Sequence, residues 1–192
     1  RIGTSAAASI QICSTVMNLF MIVTFGLANA AVVIIGNEIG ANRESEAISA
    51  SKKISSLSFK ISILLAIVLA FLSKPIVSFF NVSVEVKIAS EYILYVYAFI
   101  LVFKIYNAVM IVGILRGGGD ATYGSILQGL TLWLIGIPLA AFAAFIIKLP
   151  IYFVVMFAAV EEIIKVFFMM KRFKSFKWIK NMVNDEQNEV LT

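Results

Sequence analysis

The segment IGTSAAASIQICSTVMNLFMIVTFGLANAAVVIIGN, residues 2–37, contains no charged side chain, and a second uncharged segment covers residues 121–147. A helix needs about 20 apolar residues to cross the hydrocarbon core of a bilayer. A buried helix of a soluble protein is seldom apolar on every face over such a length. Both segments therefore predict membrane-spanning helices.

The composition of the whole chain of 192 residues supports this prediction. Hydrophobic residues make up 61% and charged residues 14%, against about 45–50% and 25% in soluble domains. We predict an all-α fold, a polytopic membrane helix bundle with about five transmembrane helices. The predicted spans are residues 4–29, 57–80, 90–114, 121–147 and 151–170.

These spans form one predicted membrane domain, residues 1–180, followed by a polar, disordered cytoplasmic tail over residues 181–192. The polar stretch 42–56 between the first two spans predicts a loop and then one or two interfacial helical turns. The chain starts at Arg1 directly before a helical run, without the pattern of a signal peptide. We therefore expect further spans upstream of it.

Basic residues concentrate in the loops at one end of the predicted bundle. That end, called the basic end below, collects Arg43, Lys52, Lys53, Arg116, Lys171, Arg172, Lys174, Lys177 and Lys180, and the opposite end collects only Lys74, Lys87 and Lys148. By the positive-inside rule the basic end and the carboxyl terminus are cytoplasmic. The net charge of +5 then predicts contact with membrane lipids rather than nucleic acid.

The residue inventory argues against an enzyme. The chain has no histidine and one cysteine, Cys13, which excludes imidazole bases and histidine metal sites. No nucleophile-base pair or cluster of metal ligands is visible, so we predict no catalytic residues, no metal and no cofactor.

Three charged residues interrupt the fifth predicted span near its middle: Glu161, Glu162 and Lys165. Charges at this depth need a partner, water or a function. Helical spacing places Lys165 on the same face as either carboxylate, and we favour Glu161 as its partner, with Glu162 as the freer carboxylate. The cluster is either a structural pair that reduces the cost of burial or the site where a carboxylate exchanges the coupling ion.

Other polar residues inside the spans are candidates for a substrate cavity. Lys104 either extends to the cytoplasmic interface or faces a cavity with Asn107, three positions away on the same face. Gln11 and Asn18 share another helix face. Together with Gln128 they either form hydrogen bonds between helices or line the cavity.

The turn Arg116-Gly117-Gly118-Gly119-Asp120 lacks the spacing of a phosphate-binding loop. Its glycines permit a tight connection with positive φ, and Asp120 is placed to cap the next helix. Arg116 is predicted to anchor the cytoplasmic side.

The motifs IGTSAAASIQI, GLANAAVVIIGNEIGANRESEA, GILRGGGDA, WLIGIPLA and EEIIKVFFMMKRFKSFKW follow one another in an order and spacing that resemble the multidrug and toxic compound extrusion (MATE) family. The resemblance implies twelve helices in two lobes, of which this chain would be the eighth to twelfth. The amino-terminal lobe of the same chain would be its partner.

The resemblance also implies a secondary transporter of a bacterial plasma membrane. Such a protein would export small organic cations in exchange for Na⁺ or H⁺ by alternating access. Some similar proteins carry a coupling carboxylate in the tenth helix, where this chain has Lys104 and no acid between Glu91 and Asp120. The coupling site is then Glu161 or Glu162, or it lies in the missing lobe. The alternative function is a lipid-linked oligosaccharide flippase of the same broad superfamily.

Overall fold

A computed structural model describes residues 4–180, and within that range it contains helices and turns but no strand. The α-helices are α1 Thr4–Gly40, α2 Glu44–Ser78, α3 Val84–Ala108, α4 Ala121–Thr131, α5 Ile137–Ala141, α6 Ile151–Ala158 and α7 Val160–Lys174. The π-helical segment Val109–Leu115 extends α3, and the π-helical segments Leu132–Gly136 and Phe142–Ile146 flank α5. The tail prediction for residues 181–192 lies outside the described residues.

Four of the five predicted spans are continuous helices that are long and apolar enough to cross a membrane. They are Thr4–Gly40, Glu44–Ser78, Val84–Leu115 and Ala121–Ile146. The fifth predicted span is interrupted at Ala159, where α6 ends and α7 begins. The prediction of an all-α membrane helix bundle is confirmed, and one of its helices is broken.

In the stretch 42–56 the predicted loop is shorter than expected, and the helical turns predicted after it belong to a long helix. Only residues 41–43 form a turn, and α2 begins at Glu44 and continues without interruption into the second span. Glu44 and Glu46 in its first turn favour the helix through its dipole. Ala47, Ser51 and Ile54 recur at helical spacing and are buried, so tertiary packing also holds this polar segment helical.

The third span lies at the centre of the bundle. About two-thirds of its most apolar window is buried (67%), against 17–28% for the other three spans. It packs against α1, α2, α6 and α7, whereas the outer helices expose large side chains such as Phe71 and Phe145. Exposed apolar faces on the outside fit a bundle whose solvent is lipid.

Small residues allow α1 to approach this central helix closely. A Cβ atom added at Gly113 would lie 2.9 Å from Ala31 Cβ and 3.2 Å from the Ala28 carbonyl oxygen. Ala28 and Ala31 are both fully buried. The alanine-rich first span is thus packed inside the bundle at this point, as its composition predicts.

The segment that follows α7, residues 175–180, packs against the glycine turn at residues 116–120 and holds it in place. Gly119 has a φ of 87°, which glycine adopts without strain. Gly118 packs against the buried ring of Trp178, where a Cβ atom would collide with that ring. The Lys180 amide also donates to the Gly118 carbonyl oxygen at 2.8 Å.

Asp120 binds residues at and after the end of α7 instead of capping α4. Its side chain makes no capping hydrogen bond, because its carboxylate accepts hydrogen bonds from Arg172 Nε at 2.7 Å and Lys180 Nζ at 2.6 Å. Burial raises the pKa of this carboxyl, but the hydrogen bonds and charges of Arg172 and Lys180 outweigh burial and hold the pKa below its usual 3.8. Arg116, the predicted anchor, is exposed at this end of the bundle.

We expect Gly113→Ala to lower the free energy of unfolding by about 1–3 kcal/mol, because the methyl group has no space between Ala28 and Ala31. Gly26→Ala is the matched control, since a Cβ atom there meets nothing within 4 Å and alanine favours a helix. The measurement is the apparent melting temperature of the detergent-solubilised protein. Equal melting temperatures for both variants would contradict the close packing.

We expect Asp120→Asn to lower the free energy of unfolding by about 1.5–3 kcal/mol through loss of charge-assisted hydrogen bonds. The control is Glu38→Gln. Glu38 forms an ion pair with Arg43 that is also 2.7 Å long, but Arg43 is exposed, so this substitution should lower the free energy of unfolding by only about 0–1 kcal/mol. The stabilisation by Asp120 is present above its unfolded-state pKa and is lost as pH falls below 3.8 through the lowered folded-state pKa. Thermal unfolding at neutral and acidic pH tests both statements, and a wild-type-to-Asn difference that persists unchanged at the acid end would refute the second.

Candidate functional site

The break at Ala159 places Glu161 and Glu162 in the first turn of α7. The Ala159 amide donates to the Val155 carbonyl oxygen at 3.1 Å, and the Glu162 amide donates to the Ala159 carbonyl oxygen at 3.0 Å. A helix start leaves backbone N–H groups without intrahelical partners, and its dipole favours negative charge. The interrupted helix therefore stabilises two carboxylates within the bundle.

Lys165 is shared by both carboxylates. Its Nζ lies 3.5 Å from Glu161 Oε2 and 3.4 Å from Glu162 Oε2. The lysine side chain is 5% exposed and each glutamate side chain 13%. Lys165 thus contacts Glu161, the partner favoured from the sequence, and comes as close to Glu162, because its long, flexible side chain reaches between two carboxylates that differ by about 100° around the helix.

Glu162 is also held from the central helix. Asn107 Nδ2 donates to Glu162 Oε2 at 2.7 Å and to the Glu162 carbonyl oxygen at 2.8 Å. Asn107 is itself buried and lies two residues before the π-helical end of the third span. These bonds fix Glu162 and cross-link α3 to α7 at the helix break.

Glu161 is the freer of the two carboxylates, contrary to the sequence-based expectation. Its Oε2 atom is buried and accepts no hydrogen bond from the described residues. The same side chain packs against Gly136, where an added Cβ atom would lie 3.4 Å from the Glu161 carboxyl carbon. Only the ionic contact with Lys165 compensates the charge at Oε2.

Both glutamates line a cavity of about 290 Å³ between α1, α3 and the interrupted helix. Its polar wall consists of Ser14, Asn18, Tyr97, Lys104, Glu161 and Glu162. Apolar side chains, including Met17, Ile100 and Val155, line the rest. Such a mixture suits a ligand with both a charged and an apolar part.

The predicted cavity residues divide into two groups. Asn18 and Lys104 line the cavity, and Asn107 contacts its glutamate Glu162. Gln11 and Gln128 are exposed and are not part of this lining. The structure thus brings together the candidates on α1, α3 and α7, but not those two glutamines.

Sequence reasoning missed Ser14, Tyr97 and the helix break. The two side chains could have been predicted from helical spacing, because Ser14 is four positions before Asn18 and Tyr97 is seven positions before Lys104. The break had no such signal, since residues 151–170 contain neither glycine nor proline.

The charged side chains around the cavity do not all form close ion pairs. Two carboxylates share one ammonium in the Lys165 cluster, which leaves one formal negative charge. Lys104 lines the same cavity, and no ion pair involving it occurs among residues 4–180. Within that range no three His, Cys, Asp or Glu side chains group into a metal site.

A bundle of apolar helices that encloses a cavity with buried carboxylates is the architecture of an integral membrane transporter. A family model described as MatE matches residues 1–142, and the chain belongs to the MatE family, whose members are transporters and not enzymes. The comparison with curated proteins found no match. The matched range includes Lys104 and Asn107 but ends before α6, so the Glu161–Lys165 cluster lies outside it.

We expect Lys165→Met to lower the free energy of unfolding by about 3–5 kcal/mol, because it leaves two buried carboxylates without a cation. Adding Glu161→Gln and Glu162→Gln to this variant removes both charges and should restore most of the loss. Apparent melting temperatures of the wild type, the single variant and the triple variant measure the effect. A single variant as stable as the wild type would show that water or lipid already solvates the cluster.

Proposed function

We propose that the protein exports cationic amphiphilic compounds in exchange for Na⁺ or H⁺ by alternating access, with Glu161 as the coupling carboxylate. The observation that carries the proposal is the Glu161 carboxylate, which lines the cavity and has a buried oxygen without a hydrogen-bond partner. A proton or a cation at the Glu161 carboxylate would neutralise the one negative charge that remains when two carboxylates share Lys165.

Exchange requires that the coupling ion and the organic cation compete for the same charge. If Glu161 binds either of them, binding of one weakens binding of the other. The cavity then changes access from one side of the membrane to the other with one of the two cations at Glu161, but not both. Glu162 is held by Asn107 and Lys165 and serves as a fixed part of the wall. An interrupted helix beside a cavity between helices is the arrangement on which secondary transporters build such sites.

The apolar side of the cavity supports an amphiphilic substrate. Met17, Ile100 and Val155 lie opposite polar side chains in the same lining, which gives an organic cation an apolar surface as well as a counter-charge. We place the basic end and the carboxyl terminus in the cytoplasm, on the positive-inside rule. A bacterial plasma membrane is the proposed location.

The competing function, flipping of a lipid-linked oligosaccharide, requires several basic residues for a pyrophosphate group. Within the described residues this cavity offers Lys104, while Lys165 is engaged by two carboxylates. With Lys165 engaged, a pyrophosphate would find one unpaired lysine in this lining, whereas a cation would find the Glu161 carboxylate; this difference favours a cationic substrate.

We expect cells producing the intact protein to accumulate less of a fluorescent organic cation than control cells. We expect Glu161→Gln to abolish this difference at equal expression, because the variant can neither bind nor release the coupling ion. Glu162→Gln should reduce export less, since its carboxylate is held by Asn107 and Lys165. The measurement is dye accumulation with and without an imposed Na⁺ or H⁺ gradient.

Glu85→Gln is the matched control, because Glu85 is also a first-turn acid but lies at the opposite end of the bundle. Export that survives both cluster substitutions would mean that the carboxylates are structural and that coupling occurs elsewhere in the protein. No difference between wild-type and control cells would count against drug export and in favour of the flippase.

A further inference from the structure

A second concave site lies on the other side of the central helix, between α2, α3 and α7. This groove has a volume of about 430 Å³. Its wall is formed by Phe59, Val102, Phe103, Val166, Met170 and Phe173. The linings of the two sites share no residue, and Val102 points about 160° around α3 from Ile100 and Lys104 of the cavity described above, so the two sites are separate.

The only polar hydroxyl deep in the groove is already satisfied, among the residues that the structure describes. Tyr106 Oη donates to Met170 Sδ at 2.9 Å and lies 2.9 Å from Ser55 Oγ. The Tyr106 ring also packs edge-to-face on Phe59. The interior therefore presents no unmatched polar group to an apolar ligand.

The mouth of the groove differs in character from its wall. Lys52, Ser55 and Ser56 form the end of the lining nearest the start of α2. Lys52 Nζ lies 6.0 Å from the centre of the Phe176 ring, and no ion pair of Lys52 occurs within residues 4–180. A positive charge and two hydroxyls thus stand at one end of an apolar channel.

The spacing of polar and apolar groove residues along α2 matches the distance between the headgroup and the acyl chain of a lipid. Phe59 follows Lys52 by seven positions, about 10 Å along a helix. The mouth therefore lies near the basic end, and the wall runs from there into the span. A headgroup at Lys52 would lie in a polar environment, and an acyl chain beside Phe59 and Phe103 would lie in an apolar one.

We propose that this groove binds a resident anionic phospholipid from the leaflet at the basic end. Its phosphate lies at Lys52 and the Ser56 hydroxyl, and one acyl chain lies between α2, α3 and α7. Charge complementarity selects the occupant, because basic pockets between membrane helices retain anionic headgroups. The lipid fills the gap between α7 and α2 and so stabilises the helix that carries the glutamate cluster.

The test is native mass spectrometry of the intact protein after exchange into phosphatidylglycerol or phosphatidylcholine with identical acyl chains. We expect retained phosphatidylglycerol on the wild type and about fivefold less on Lys52→Gln, the loss expected for one lysine near a lipid surface. Phosphatidylglycerol with a photoreactive group in its acyl chain should then cross-link to Phe59, Val102, Phe103 or Val166.

Two variants separate the groove from general attraction to a basic surface. Lys53→Gln removes the neighbouring charge, which lies about 100° around α2 from Lys52 and does not belong to the groove lining, and this variant should retain the lipid. Ser56→Trp keeps every charge but blocks the mouth at an exposed position, and should lose it. Since both positions are exposed, neither change threatens folding.

Equal losses for Lys52→Gln and Lys53→Gln would overturn the proposal, because attraction would then be unspecific. Lipid retained on Ser56→Trp would also overturn it. Equal retention of phosphatidylcholine would exclude the selection by charge. If another helix of the same protein covers the groove, the photoproducts fall on that helix and not on the six wall residues, and this result too would refute a lipid in the groove.

Discussion

Charged groups among membrane helices need partners within the protein, because hydrocarbon solvates neither ions nor backbone. Two clusters meet this requirement: one attaches α7 to the third span, and the other attaches it to the glycine turn that follows that span. Glu162 and Lys165 are held near Asn107 at the start of α7, and Arg172 is held by Asp120 at its end. Helix α7 is thereby fixed at both ends by polar contacts.

The central third span separates two environments. One face borders the cavity with the glutamates, and another borders the apolar groove. Its close contact with α1 through Gly113 and its bonds to α7 through Asn107 make it the rigid element to which the rest is attached. A displacement of α7 relative to α3 would change the volume of both sites, so occupancy of the groove and the geometry around Glu161 are physically linked.

The helices were predictable because long uncharged segments have few alternatives in a membrane, and residues 2–37 and 121–147 satisfy that condition by themselves. The site was only partly predictable. Spacing identified Glu161, Glu162 and Lys165 as neighbours, since that relation is local to one helix. It could not show which carboxylate is freer, because the deciding hydrogen bond joins Asn107 to a residue 55 positions away. The interruption at Ala159 also depends on tertiary contacts, as no glycine or proline marks it.

The position of the charges also bears on the missing acid of the third span. Lys104 and Glu161 line one cavity although they belong to different helices. A carboxylate need not lie on the third span to act in that cavity, provided that a neighbouring helix presents it there. The broken helix does this: its new amino terminus at Val160 turns two glutamates inward and stabilises their charge through its dipole. The cavity therefore retains an acidic group, supplied from α7 instead of α3, and Lys104 stands as the opposite charge across the same space.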